Sequence, residues 1–285
     1  MGLTTKVFVS SDANNGFGVC STLIMGEKEA ILVDAQFTLS NAHRLVAELI
    51  ESQRVLKKIF ITHLHPDHFL GLEVIKDVWP DAEVIAWKKI SDDVNNAYDF
   101  KLDYWGKTIL KENGANRKFD ITMIDDDTLI LEGETINILG IMSGDCIDIT
   151  PLWIPSLRTL IASDIVFENT HVWIADMRNE ERMENWMQAL EILEDLEPAV
   201  VIPGHAPVAP TLYPSSISFT RQYIRDFRKQ LHRTANSNEL IAQMERIYPS
   251  MPVRICLEFS AKILKDHYVW PGDWPPSLRN MPAEL

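Results

Sequence analysis

Cysteine is scarce in this chain. Cys20, Cys146 and Cys256 are the only three among 285 residues, odd in number and with no C-x-x-C pairing. A disulfide framework is therefore excluded. Positive charge is also short: 27 Lys and Arg stand against 41 Asp and Glu, a net charge of −14. Phosphate backbones and anionic membranes call for a basic face, so neither a nucleic acid nor a membrane surface is the expected partner. Basic residues crowd only in "RDFRKQLHR" (225–233), where a solvated helix face is the plainer account. Long apolar runs are missing too. None approaches the roughly 18 residues of a membrane-spanning helix. The opening "MGLTTKVFVSSDANNG" has no stretch resembling a secretory signal, and Lys6 breaks the myristoylation pattern. These features together lead to the expectation of a cytoplasmic protein.

What is present is ordinary for a globular chain, with 46% hydrophobic and 24% charged residues. The length allows one large domain or two small ones. β-type runs open it at 6–10, 18–25 and 30–35, followed by a helical pattern over 41–53. A buried strand at 57–63, a helix at 69–79 ended by Pro80, and a strand at 82–87 continue the alternation. This predicts a layered α/β architecture. Over 88–114, Ile90, Val94, Tyr98, Leu102, Trp105 and Ile109 form one apolar helical face. That face either packs on the core or serves as a lid or dimer contact. Strands are expected at 121–124, 128–133, 135–141, 150–155 and 159–167, with "DDDT" and "EGE" as hairpin turns. A helix at 180–196, a strand at 199–205 and helices at 215–234, 237–247 and 253–267 complete the reading. No linker divides the chain. We expect one domain over 1–285: a core at 4–212, a helical extension at 213–270 and a Pro-rich surface tail at 271–285.

The chemistry concentrates in "ITHLHPDHFLGL" (61–72), which holds three of the eight histidines. Imidazole and carboxylate are ligands for zinc, iron and manganese. On extended backbone, His63 and His65 point to the same side and can reach one metal. Pro66 keeps His65 out of helical geometry, and Asp67 and His68 turn toward a second point. An N-cap role for Asp67 would be the structural alternative. Four donors in six positions cannot converge on one ion without strain, so two metal centres are indicated. Asp145 in "MSGDC", Asp164 in "ASDIVF" and His205 in "IPGHAP" each end or follow an apolar run, where a side chain emerges at a sheet edge. They are the remaining candidates.

In this company the chain resembles the metallo-β-lactamase superfamily. "THLHPDH" is similar to that family's H-x-H-x-D-H motif, "ILVDAQ" with Asp34 to its early aspartate segment, "SDIVF" to its metal-bridging segment and "VIPGHAP" to its last histidine segment. The resemblance spans about residues 4 to 208. It implies a four-layer αββα sandwich with the site at one edge of two packed sheets. It also implies that His63, His65 and Asp145 hold one metal, that Asp67, His68 and His205 hold the other, and that Asp164 bridges them. Asp34 would orient a ligand, or be a turn aspartate. Asp67 and Asp164 would carry the catalysis. The metals would be two divalent ions, Zn²⁺ first, with Fe or Mn as alternatives.

One departure is clear. Where the family carries a histidine between the second motif and the bridging aspartate, this chain has Asp145, and no histidine lies between 69 and 170. Either Asp145 is a ligand or that metal lacks one there. The family chemistry implied is hydroxide attack on a carbonyl. Missing export signal, basic surface, flavodoxin domain and glyoxalase II pattern leave lactonases and cyclic amide hydrolases as the nearest subfamilies. A glyoxalase II-like thioesterase and an iron-dependent sulfur dioxygenase are the alternatives, beside a non-catalytic metal-holding protein. A small-molecule substrate would be gripped by Phe17, His171 and Trp173, with Trp153 and Phe167 near. The 88–114 face would suit a homodimer.

Overall fold

The computed structural model describes residues 2–11 and 16–269. The Pro-rich tail expected at 271–285 lies outside the described residues. Two mixed sheets form the centre. The first has six strands in chain order: β1 (Thr4–Val9), β2 (Cys20–Met25), β3 (Glu29–Val33), β4 (Val55–Phe60), β5 (Glu83–Trp87) and β6 (Thr122–Ile124). β1 to β3 pair antiparallel, and β3 to β6 pair parallel. The parallel steps need crossovers, which α1 (Leu39–Glu51), α2 (Leu72–Val78) and α3 (Lys89–Lys101) supply. The second sheet has five strands: β7 (Thr128–Leu131), β8 (Glu134–Ile138), β9 (Leu152–Ile154), β10 (Thr159–Phe167) and β11 (Val200–His205). They lie in the order β11-β10-β9-β8-β7, with only β10 and β11 parallel. α4 (Glu180–Glu194) makes that last crossover. α5 (Ser215–Arg233), α6 (Ser237–Ile247) and α7 (Arg254–Asp266) follow.

Three apolar clusters explain the layering. Ile24, Ile31 and Phe60 of the first sheet pack with Ile136, Leu152 and Ile161 of the second, so the sheets share one core. The outer face of the first sheet packs Leu32 and Ile59 against Leu45 of α1, Ile75 of α2 and Val94 of α3. The outer face of the second packs Leu160 and Ala162 against Trp186 of α4, Phe227 of α5 and Leu257 of α7. Helix, sheet, sheet, helix is the αββα sandwich, with a helical C-terminal region on the second sheet. β10 is buried along its whole length, as a strand covered on both faces must be. That explains why apolar residues, Leu160 to Ala162 and Ile165 to Phe167, flank Ser163 and Asp164 on both sides.

The helices begin where side chains satisfy their open N–H groups. Thr38 accepts from Asn41 N at the start of α1, and Asn179 accepts from Arg182 N at the start of α4. The 88–114 face turns inward: Ile90, Val94, Tyr98, Leu102 and Trp105 are buried, while Ile109 is 41% exposed. The segment packs on the core, the first of the two readings offered by its periodicity. It is α3 followed by a π-helical stretch over Leu102–Leu110, which the periodicity did not reveal. One turn is corrected. "EGE" joins the β7–β8 hairpin through Glu132 and Gly133, both at positive φ. "DDDT" is not a hairpin turn, because β6 and β7 belong to different sheets and it carries the chain between them.

Candidate metal centre

Four segments meet at the edge where both sheets end. After β4 the chain stays extended through Ile61, whose N–H donates to Ile85 O, and presents His63 and His65. A 3₁₀ turn over Pro66–His68 then redirects Asp67 and His68. Asp145 hangs on the loop between β8 and β9. Its N–H donates to Asp164 O at 3.1 Å, which ties that loop to β10. Asp164 and His205 are brought together by the parallel pairing of β10 with β11, whose register shifts at Ser163.

All seven residues expected as ligands converge. His65 Nδ1 lies 3.1 Å from Asp145 Oδ2. His63 Nε2 lies 3.4 Å from Asp164 Oδ2, and His205 Nε2 lies 3.1 Å from the same oxygen. His68 Nε2 is 3.2 Å from Asp164 Oδ1. Asp67 Oδ2 is 3.7 Å from His68 Nε2 and 3.6 Å from His205 Nε2. The donors form three overlapping groups: His63, His65, Asp145 and Cys146; His63, His68 and Asp164; and Asp67, His68 and His205. Within each group the ligand atoms lie within 4.8 Å of one another.

The donor set fits divalent cations. Among the described residues, His63 Nε2, His68 Nε2, Asp145 Oδ1 and Asp164 Oδ1 are buried with no hydrogen-bond partner. Buried polar atoms are usually paired; these four belong to residues of the donor groups, where cations would satisfy them. Electrostatics agree. Burial and the neighbouring His68 push His63 down to about 4. Burial works against charge on His65, yet the Asp145 and Asp176 carboxylates outweigh it and raise His65 to about 10. Burial likewise opposes charge on Asp164, but His68, His205 and His63 hold it well below the usual carboxylate range. Burial raises Asp145 against the pull of His65. Such a set carries protons that a metal would release on binding.

Each imidazole but one is anchored through Nδ1. His63 Nδ1 meets Thr62 Oγ1 at 2.9 Å, His68 Nδ1 meets Asp34 Oδ2 at 2.8 Å, and His205 Nδ1 meets the Phe17 carbonyl at 2.9 Å. Asp34 thus holds a histidine of the cluster, and it also accepts from Thr62 N and Oγ1. Gly204 stands where a Cβ would fall 1.8 Å from Asp164 Oδ1, so the close approach of β11 to the aspartate requires glycine.

The aromatic candidates divide. Phe167 is buried and its ring stacks on His205 at 5.0 Å and 6°. Phe17 stacks on Phe37 at 5.3 Å and meets Trp105 edge-on at 6.3 Å, so its ring belongs to the first helical layer. Trp173 donates from Nε1 to Asp176 Oδ2 at 2.8 Å. Trp153 is half-buried on β9 and packs with the second helical layer. His171 is not brought to the cluster. It is 1% exposed and its Nδ1 pairs with Tyr223 Oη at 2.8 Å, facing α5 rather than the metal ligands.

Sequence reasoning missed Thr62, Cys146 and Asp176. Thr62 adjoins the motif and was within reach. Cys146 enters the first donor group, although its thiol bonds Asp148 O at 3.7 Å and burial pushes its pKa well up. Asp176 lies 3.4 Å from His65 Nε2 on a loop without strand or motif context.

Similarity to known proteins follows the same lines. The chain is 28% identical over 166 residues to the Beta-lactamase-like protein 2 homolog of Caenorhabditis elegans, a match covering 58% of this chain and 47% of that protein, so the chain spans about half the length of this relative. A metallo-beta-lactamase family protein from Thermus thermophilus superposes with a TM-score of 0.62 at 18% identity, covering 93% of this chain and 91% of the other. A metallo-beta-lactamase from Pontibacter korlensis gives 0.54 at 16%, covering 78% and 94%. At these identities the two structures speak for the fold alone. The family model of the metallo-beta-lactamase superfamily matches residues 15–205, from the Phe17 loop to the last cluster histidine, and the chain belongs to that superfamily.

Proposed function

We propose that the protein is a binuclear metal-dependent hydrolase acting on the carbonyl of a small cyclic ester or amide: a lactone, lactam or cyclic carbamate. The observation that carries this is the overlap of the three donor groups at His63 and His68, with four buried donor atoms lacking partners. His63, His65 and Asp145 would hold one cation; Asp67, His68 and His205 would hold the other. Asp164 would serve both, since its carboxylate lies against His63 of the first set and against His68 and His205 of the second. Two divalent ions bound there supply Lewis acidity and a water ionised near neutral pH. The remaining work falls to the chain. Asp34, Thr62 and the Phe17 carbonyl fix the rings of His68, His63 and His205. Phe167 stacks against His205 and shields that ring from water. Asp67, at 8% exposed, is more accessible than Asp145 at 1% and Asp164 at 0%. That accessibility supports Asp67 as the carboxylate that passes a proton to a leaving group. The net charge of −14 supports a small molecule rather than a nucleic acid as substrate.

A second reading rests on Asp145. Two histidines and one carboxylate also suit iron, which would favour oxygenase chemistry. Metal content by elemental mass spectrometry, on wild type and Asp145→Ala, separates the two. The hydrolase predicts two zinc ions per chain, about one in the variant, and turnover of lactones, lactams or cyclic carbamates; turnover of thioesters alone would favour the thioesterase alternative. One iron per chain, unchanged in the variant and accompanied by oxygen uptake, would overturn it.

A further inference from the structure

We infer that Asp176 is the positioning residue for His65, setting which ring nitrogen faces the first metal site. The inference rests on the binuclear reading above. It begins with an asymmetry among the four histidines. His63, His68 and His205 each spend Nδ1 on an anchor and turn Nε2 into the cluster. His65 is reversed, with Nδ1 facing Asp145 at 3.1 Å. A neutral imidazole carries one proton, and a nitrogen offered to a cation must be the bare one. His65 therefore needs its proton on Nε2, and an acceptor there to keep it. Asp176 Oδ2 lies 3.4 Å from that nitrogen. It completes for the fourth histidine what Thr62, Asp34 and the Phe17 carbonyl do for the others.

The need is greatest at this ring. His65 is the cluster histidine at the solvent edge, its side chain 13% exposed beside a 30% exposed Asp176, so water competes for Nε2. Asp176 is itself held. Trp173 Nε1 donates to its Oδ2 at 2.8 Å, and Arg182 Nη1 of α4 donates to its backbone oxygen at 3.0 Å. The Trp173 ring lies 6.1 Å from Phe259 of α7. α4 and α7, which pack on the second sheet, thereby brace a ligand that follows a strand of the first. Trp173, expected to grip substrate, has its Nε1 engaged by Asp176.

The test is cobalt(II) and zinc titration of chelator-stripped protein against a chromophoric competitor, for wild type, Asp176→Ala and Asp176→Asn. Asp176→Ala is expected to weaken one of two sites about 10–100-fold, the usual cost of removing a carboxylate behind a ligating histidine, and to change the visible spectrum of cobalt at that site only. Asp176→Asn keeps an acceptor but loses its charge, so its loss should be smaller, about threefold to tenfold. If the alanine variant does not fold, the near-isosteric asparagine variant decides alone. Wild-type affinities and an unchanged cobalt spectrum in the folded variants would overturn the role of Asp176 while leaving the binuclear reading intact. A wild-type chain that takes up fewer than two ions would overturn both.

Discussion

Asp34 and His68 are 34 residues apart in the chain and meet at 2.8 Å, carboxylate to Nδ1, in a fully buried pair. Asp34 makes this contact from left-handed backbone, at φ +61 just beyond the end of β3. The same carboxylate receives Thr62 N at 3.0 Å and Thr62 Oγ1 at 2.8 Å. One aspartate therefore ties the end of β3 to the end of β4 and aims a cluster histidine. A non-glycine residue held at positive φ costs conformational energy, which its three partners offset.

Asp34→Ala removes the acceptor from three buried donors at once. Each buried donor left unpaired costs on the order of 1–3 kcal/mol, so the metal-free chain should melt well below wild type and metal affinity should fall about 10–100-fold. Asp34→Asn tolerates the backbone angle but keeps only one acceptor oxygen and sets its NH2 against a donor, so it should retain part of the loss. Calorimetry and metal titration measure the two effects. An alanine variant that melts and binds metal like wild type would show that the contact is idle.

Gly204→Ala would drive a methyl to 1.8 Å from Asp164 Oδ1 and 2.7 Å from Asp164 N. Backbone on one side leaves no flexible neighbour to yield. Either β11 shifts or Asp164 leaves its place, and overpacking of this kind costs about 1–3 kcal/mol or more. We expect reduced metal stoichiometry along with lower stability. Gly133→Ala is the control: nothing lies within 4 Å of its Cβ, and only its φ of +87 is strained, so it should lose about 1 kcal/mol with full metal uptake. Equal metal uptake by both variants would count against a special role for Gly204.

His171 provides the pH prediction. Burial lowers its pKa from 6.5 to about 4, so the folded protein keeps it neutral while the unfolded chain takes up a proton below about 6.5. Its contribution to stability is intact above that value and is lost as pH falls toward about 4, at up to about 1.4 kcal/mol per pH unit. Denaturant unfolding of chelator-stripped protein at pH 7 and pH 5 should show a smaller acid loss in His171→Asn than in wild type. Identical pH slopes would mean that His171 does not titrate this way.

The layered architecture was legible because amphipathic periods are local. Alternation along β7 and β8, the buried run of β10 and the helical faces of α1 and α4 each follow from residues a few positions apart. The H-x-H-x-D-H spacing was legible for the same reason. Two errors share the opposite cause. "DDDT" has the composition of a hairpin turn, but whether the next strand pairs back or crosses to another sheet depends on partners far along the chain. His171 lies on a loop with site residues on either side, and nothing in "ENTHVWIAD" indicates that α5 supplies Tyr223 to hold its ring.

The sequence by itself determined the inventory: which short segments carry donors, that each sits at the end of an apolar run, and that an aspartate stands where the family has a histidine. Tertiary structure decided the pairing. That Asp145 faces His65 and not His68, that His65 alone presents Nδ1, and that Asp176 and Gly204 belong to the centre all depend on distances between segments. Those distances are set by the packing of two sheets against each other. Local spacing orders residues along one strand, while only the layered core brings Asp34, Asp145, Asp164 and His205 around the motif.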